Sequence, residues 1–216
     1  MYVKDRMNRN VISVFPEASI SLAFQLMTEQ GYSHLPVIQN EKLVGMVTEK
    51  LLTEVSPSKA TTLSIYELNY LLSKTKVKDI MNKDVIFVKP DMLIEEAAAL
   101  LRDKMVDALP VIDDHDKLLG ILTRTDIIDA FIELMGINDP GTRIVLEVKD
   151  EAGALADILG IIKEYGMSIT HISSFDQNTA DQKQEIVMRL NTLETDEVLN
   201  VLKEKNYNII SIHKKQ

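Results

Sequence analysis

The residues whose types and spacing best suit chemistry are Thr123, Arg124 and Asp126, in the run Gly120-Ile121-Leu122-Thr123-Arg124-Thr125-Asp126-Ile127-Ile128. An ionised carboxylate such as Asp126 accepts hydrogen bonds at two oxygens, which suits the neighbouring hydroxyl donors of a ribose. Thr123, Arg124 and the free N–H groups of a following helix offer donors and positive charge to a phosphate. The chemistry implied is the holding of a nucleotide by its sugar and phosphate. Thr-x-x-Asp before an apolar run is also the pattern of a capping box, in which the pair ties off N–H groups at a helix start. On spacing alone the two readings stand side by side.

The elements that must position these residues are a buried strand and a helix. Ile121 and Leu122 end a β-rich apolar run, and Ile127, Ile128 and Phe131 begin a helical spacing. The same arrangement occurs twice in the chain. Lys4-Asp5-Arg6-Met7-Asn8 recurs 74 positions later as Lys78-Asp79-Ile80-Met81-Asn82, and at that offset Pro16 matches Pro90 and Leu35-Pro36-Val37-Ile38 matches Leu109-Pro110-Val111-Ile112. One residue inserted in the second copy then brings Gly45 onto Gly120 and Thr48 onto Thr123. Each copy reads as a short strand (Val11 to Phe15; Val85 to Val88), an amphipathic helix, a β-hairpin and a closing helix. The hairpins are Leu35 to Ile38 with Leu43 to Val47, and Leu109 to Ile112 with Leu118 to Leu122. Gly31 is placed to end the first long helix. Ser56-Pro57-Ser58 breaks the chain between copies, and Ile65, Leu68, Leu71 and Leu72 mark a linking helix.

Composition bounds the class. The 216 residues are 45% hydrophobic and 26% charged, ordinary for a globular protein with one or two domains. A net charge of −9 argues against general nucleic-acid binding. With no cysteine there is no disulfide, thiol nucleophile or Cys-based metal site. Met1 to Arg6 is not followed by the apolar core of a signal peptide, and no apolar run approaches membrane-spanning length. A cytoplasmic protein that binds no nucleic acid and no membrane is expected.

The β-α-β-β-α unit, with its Leu-Pro-Val-Ile and Gly-x-x-Thr-x-x-Asp signatures, resembles a cystathionine-β-synthase (CBS) domain, and two in tandem resemble a Bateman module. The resemblance covers roughly residues 1–136. It implies a regulatory module whose cleft binds an adenosine-containing ligand: AMP, ADP, ATP, S-adenosylmethionine or a cyclic dinucleotide. It further implies that Asp126 holds the ribose, that Thr123 lies near the phosphate, and that Val85, Ile86, Leu109 and Pro110 sandwich the adenine. His34, directly before Leu-Pro-Val, either points into the cleft toward a phosphate or is a half-exposed strand histidine. The first copy departs from the pattern, because Leu51 stands where the ribose acid belongs. One ligand per chain, in the second copy's half, is therefore expected.

Gly136 to Gly141 is a turn-rich break, after which the periodicity changes. Ile144, Leu146 and Val148 alternate as a strand, and Leu155, Ile158, Leu159 and Ile162 form a helical stripe stopped by Gly166. Ser168 to Phe175 and Gln184 to Leu190 read as strands joined by the polar loop Asp176 to Lys183. Val198, Leu199 and Leu202 mark a helix with Thr195 as its cap, and Tyr207 to Ile212 a last strand. The order β-α-β-β-α-β is ferredoxin-like. Gly153, Ala154 and Leu155 after the first strand, with Ser168 and Ile169 after the helix, resemble the ligand segments of an ACT domain. Ala152 replaces that family's usual proline, and Ser168 its asparagine. The resemblance implies amino-acid binding at a dimer interface, and Gly153 is expected where a side chain would block close approach.

The fold class expected is thus α/β (α+β), with CBS repeats at 1–55 and 78–136, a linker helix at 56–77 and an ACT-like domain at 142–216. That order is similar to acetoin-utilisation proteins of the AcuB type, which implies a role in using acetoin or butanediol. There is no P-loop, dinucleotide fingerprint, His-Glu-x-x-His or nucleophile elbow. No enzyme activity, cofactor or metal is expected. Asp113-Asp114-His115-Asp116 reads as hairpin-turn chemistry. The partners expected are an adenine nucleotide, a second copy of the chain and a metabolic enzyme. The alternative is an enzyme, or the regulatory subunit of one, with an amino-acid-binding ACT domain.

Overall fold

The computed structural model describes residues 1–55, 70, 72–176 and 183–216. Ser56-Pro57-Ser58, most of the expected linking helix and the interior of the loop after Asp176 lie outside the described residues. The chain divides into two compact units, Met1–Ile128 and Asp129–Gln216.

In the first unit each repeat supplies a helix, an antiparallel hairpin and a second helix. The first repeat has the helix Ile20–Gln30, strands β1 (His34–Gln39) and β2 (Lys42–Thr48), and the helix Glu49–Val55. The second has the helix Ile94–Asp103, strands β3 (Ala108–Ile112) and β4 (Leu118–Thr123), and the helix beginning at Arg124. Local chemistry explains the element ends. Ser19 Oγ accepts the Leu22 N–H at 3.2 Å to start the first helix, and Gly31 takes the left-handed conformation that ends it. Asn40 and Glu41, both at positive φ, make a two-residue turn between β1 and β2 whose twist matches the strands. The residue inserted in the second copy lengthens the matching turn, where Asp113 Oδ1 accepts the N–H groups of His115 and Lys117 at 2.8 and 2.9 Å. Those two bonds hold the Asp113 carboxyl below its ordinary pKa.

The expected strands at Val11 to Phe15 and Val85 to Val88 are not strands. Each segment makes a single parallel bridge, Val14 with Val37 and Val88 with Val111. Pro16 follows directly and Pro90 after Lys89, where a proline has no N–H to extend a strand ladder, and Phe15 and Phe87 are exposed.

The repeats also exchange their leading segments. Val3 and Met7 pack in the core of the second repeat, with Val88, Leu101, Leu109 and Leu122. Val77 and Met81 pack on the core of the first, with Val14, Ile20, Leu35 and Leu52. The backbone bonds repeat in parallel: Val3 N–H to Met92 O and Lys4 N–H to Pro90 O, then Val77 N–H to Ala18 O and Lys78 N–H to Pro16 O, all at 2.9 Å. The two repeats are therefore one interlocked body.

The second unit is a four-stranded antiparallel sheet in the order β6-β7-β5-β8, from β5 (Gly141–Lys149), β6 (Ile169–Asp176), β7 (Lys183–Leu190) and β8 (Asn208–Lys215). The helices Ala154–Glu164 and Asp196–Glu204 complete a βαββαβ order. Its core joins Ile144, Leu146 and Val148 of β5 and Ile186, Met188 and Leu190 of β7 to Ile158, Ile162, Val198 and Leu202 of the helices. The expected stripe on the first of these helices is shifted. Ile158 and Ile162 are buried with Ala154 and Ile161, whereas Leu155 and Leu159 are each 38% exposed. Thr195 sits at the N-cap without a side-chain cap bond, and its buried hydroxyl has no partner among the described residues.

Candidate functional site

A cleft of about 1080 Å³ opens in the first unit, lined by both repeats. Its floor is apolar. Met46, Ala108 and Ile121 form a small cluster with Val11 and Val85, and all five line the cleft. Above that floor the two strand-to-helix junctions stand as a pair. Thr48, Glu49, Lys50 and Leu51 come from the first repeat, and Thr123, Arg124, Thr125 and Asp126 from the second.

The junctions are capped alike but not identically. Thr48 Oγ1 accepts the Leu51 N–H at 3.1 Å, and Thr123 Oγ1 accepts the Asp126 N–H at 3.3 Å. In the second repeat the carboxylate answers: Asp126 Oδ2 accepts the Thr123 N–H at 2.6 Å and the Thr123 hydroxyl at 2.7 Å. The capping box read from the spacing is therefore present. Among the described residues no hydrogen bond ends on Asp126 Oδ1, which remains as an acceptor at the cleft wall. Leu51 has no polar side-chain atom to offer at the matching place.

Of the other expected nucleotide contacts, Val85, Ile86, Arg124 and His34 line the cleft. Leu109 and Pro110 do not. Strand side chains alternate, so Ala108 faces the floor while Leu109 is wholly buried in its own repeat's core. The segment that does reach the cleft lies just before them, at Val106 and Asp107, matched by Tyr32 and Ser33 in the first repeat. Their position ahead of each Leu-Pro pair was the signal available in the sequence. Arg124 is less free than the sequence implied: its Nη1 is 2.9 Å from Asp107 Oδ1, and its Nε donates to the Val106 carbonyl at 3.2 Å. Burial holds the His34 imidazole below its ordinary pKa, against the opposing pull of Asp107 and Glu49.

The expected ACT contacts are not gathered by one chain. Gly153, Ala154 and Leu155 follow the end of β5, whereas Ser168 and Ile169 lead into β6, whose first residue pairs across β7 with the start of β5. Gly153, Ala154 and Leu155 form the N-terminal end of the helix Ala154–Glu164, and the rest of that helix separates them from Ser168 and Ile169. Among the described residues nothing lies within 4 Å of a Cβ placed on Gly153, and its φ of 100° is a conformation that glycine adopts without strain. Among the described residues no group of three or more His, Asp or Glu is arranged to hold a metal ion, and no helix is long and apolar enough to cross a membrane.

Comparison with known proteins agrees with this architecture. The family model for the CBS domain matches residues 3–57 and 77–133, and that for the ACT domain matches residues 142–194. The chain is 33% identical over 155 residues to the uncharacterised protein MJ1426 of Methanocaldococcus jannaschii, covering 61% of this chain and 92% of that one. It is 36% identical over 122 residues to the inosine-5'-monophosphate dehydrogenase of the same organism, but spans only 21% of that enzyme. Among solved structures, the complex of CBSX2 with AMP has a TM-score of 0.52 at 33% identity, covering 62% of this chain and 97% of that one. A Vibrio cholerae protein assigned to acetoin utilization (AcuB) has a TM-score of 0.53 at 26% identity, covering 64% and 95%. The paired junctions, the interlocked repeats and the βαββαβ unit that follows them make this chain a member of the CBS-domain family, with a tandem CBS pair followed by an ACT domain.

Proposed function

We propose that the chain is a regulatory sensor that binds one adenosine-containing ligand in the cleft of its CBS pair. The observation that carries this reading is the pair of junctions: both have the capping threonine, and only the second adds a carboxylate with an oxygen left over at the cleft wall. The ribose diol is taken to meet Asp126 Oδ1, with the adenine on the apolar floor beside Val85 and Ile86. AMP in the complex of the similar CBSX2 supports an adenine ligand. The ligands considered are AMP, ADP, ATP, S-adenosylmethionine and a cyclic dinucleotide. Occupancy would reach a partner, a second copy of the chain or a metabolic enzyme, through the packing of the interlocked repeats. A cytoplasmic setting and a part in acetoin or butanediol use belong to the same reading, the latter resting on the likeness to AcuB.

A thermal-shift screen of these ligands, followed by titration calorimetry, tests the reading. A ligand that binds only the folded state raises the unfolding midpoint. One site per chain, lost or weakened by change at Asp126, is the expected result. A chain that responds to amino acids and to no adenosine compound would favour the alternative of an ACT-regulated enzyme subunit.

A further inference from the structure

Among the described residues that line the cleft, the carboxylates are Glu49, Glu54, Asp84, Asp107 and Asp126, and the cations are Lys50 and Arg124. Both cations already face a carboxylate of the same wall. Arg124 Nη1 is 2.9 Å from Asp107 Oδ1, and Lys50 Nζ is 4.0 Å from Glu54 Oε1. Glu49 and Asp84 make no ion pair among the described residues. The one remaining titratable base of the lining, His34, is held toward its neutral form by burial. In the first copy Glu49 stands where the second has Arg124, so one junction carries a carboxylate at the place of the other's cation. A phosphate group entering this cleft would meet an excess of like charge, and the charged lining of a cleft focuses its field on whatever enters.

Resting on the reading that the cleft holds an adenine nucleoside, we propose that its preferred ligand carries no phosphate on the 5′ carbon and is uncharged or cationic there, as in thioether and sulfonium nucleosides of the S-adenosylmethionine class. The ribose contact at Asp126 and the apolar floor serve such a ligand as well as a nucleotide. The difference lies at the 5′ end, where the negative wall attracts a sulfonium or ammonium group and repels a phosphate.

The test is titration calorimetry of the full chain with S-adenosylmethionine, 5′-methylthioadenosine, AMP and ATP. The two sulfur compounds should bind about tenfold or more tightly than AMP, and ATP more weakly again, each tenfold step being about 1.4 kcal/mol. Raising salt from about 20 mM to about 300 mM should weaken S-adenosylmethionine and strengthen AMP, since screening acts with opposite sign on attraction and repulsion. Glu49→Arg should narrow the gap between the two. Should that variant fail to fold by circular dichroism, Asp84→Asn takes its place with the same expected direction. AMP or ATP binding as tightly as S-adenosylmethionine overturns the inference and leaves the adenosine sensor standing. A chain that binds none of the four removes both.

Discussion

A Cβ built on Gly120 would lie 2.6 Å from Met7 Sδ and 2.9 Å from the Asn8 carbonyl oxygen. The leading segment of the chain thus presses directly on the second hairpin. The mirror contact places a Cβ on Gly45 at 2.6 Å from Met81 Sδ and 3.2 Å from the Asn82 carbonyl oxygen. The repeated glycine and the repeated Met-Asn are two sides of one crossing. Gly120→Ala should lower stability by roughly 1–3 kcal/mol, the usual cost of overpacking. Gly45→Ala should cost less, because a flexible methionine can yield where backbone has more room. Urea unfolding of both variants measures the order, and equal losses would refute the account.

Asp126→Ala should have two separable effects. Losing the bonds from Asp126 to the Thr123 N–H and hydroxyl costs about 1 kcal/mol of stability. On the proposed ribose contact, losing that acceptor costs ~1.5–3 kcal/mol of binding, about ten- to a hundredfold in affinity. Calorimetry on the folded variant decides between contact and cap: unchanged affinity with lowered stability would make Asp126 a cap alone.

Leu51→Asp supplies the missing acid to the first junction, where Thr48 already caps the helix. The expected outcome is a rise from one ligand site per chain to two, or a second affinity stronger by about tenfold. Titration with the ligand found in the screen gives the stoichiometry directly. Two equal sites in the unaltered chain would contradict the premise.

His34 makes stability depend on pH. Its folded pKa lies below the ordinary value of 6.5 because burial disfavours the imidazolium, although Asp107 and Glu49 oppose that shift. The unfolded chain therefore binds the proton more readily, and stability rises with pH across that interval. The contribution is present above about pH 6.5 and is lost as pH falls from there through the folded pKa. Urea midpoints measured from about pH 5 to pH 8 should decline on the acid side. His34→Asn should flatten that part of the curve.

A homodimer is expected from surfaces that water would not favour. Ile128, Phe131 and Leu134 form an exposed stripe on the helix Arg124–Leu134, at 57, 55 and 54% exposure. In the second unit β6 and β8 end the sheet, and such edges invite pairing. Light scattering at micromolar concentration should give twice the chain mass, and Phe131→Asp should shift it toward the monomer. A monomeric parent chain would overturn this.

The sequence by itself determined the repeat, both hairpins, the βαββαβ order and the difference between Leu51 and Asp126. These rest on local periodicity and on residue types compared at a fixed offset, which a one-dimensional chain carries in full. It did not determine that Val3 belongs to the second core and Val77 to the first. That choice is made by contacts between segments far apart in the chain, and each segment carries the same apolar pattern. Nor did periodicity orient the helix Ala154–Glu164. Ala154, Leu155, Ile158, Leu159, Ile161 and Ile162 leave it apolar over most of its surface, so only packing against β5 and β7 selected the face that leaves Leu155 and Leu159 outside. The cleft divides the same way. Thr123 and Asp126 were legible as neighbours on one helical turn, but the pairing of Arg124 with Asp107 was not. It depends on the turn before β3 folding back to the start of the next helix, which only the tertiary structure decides.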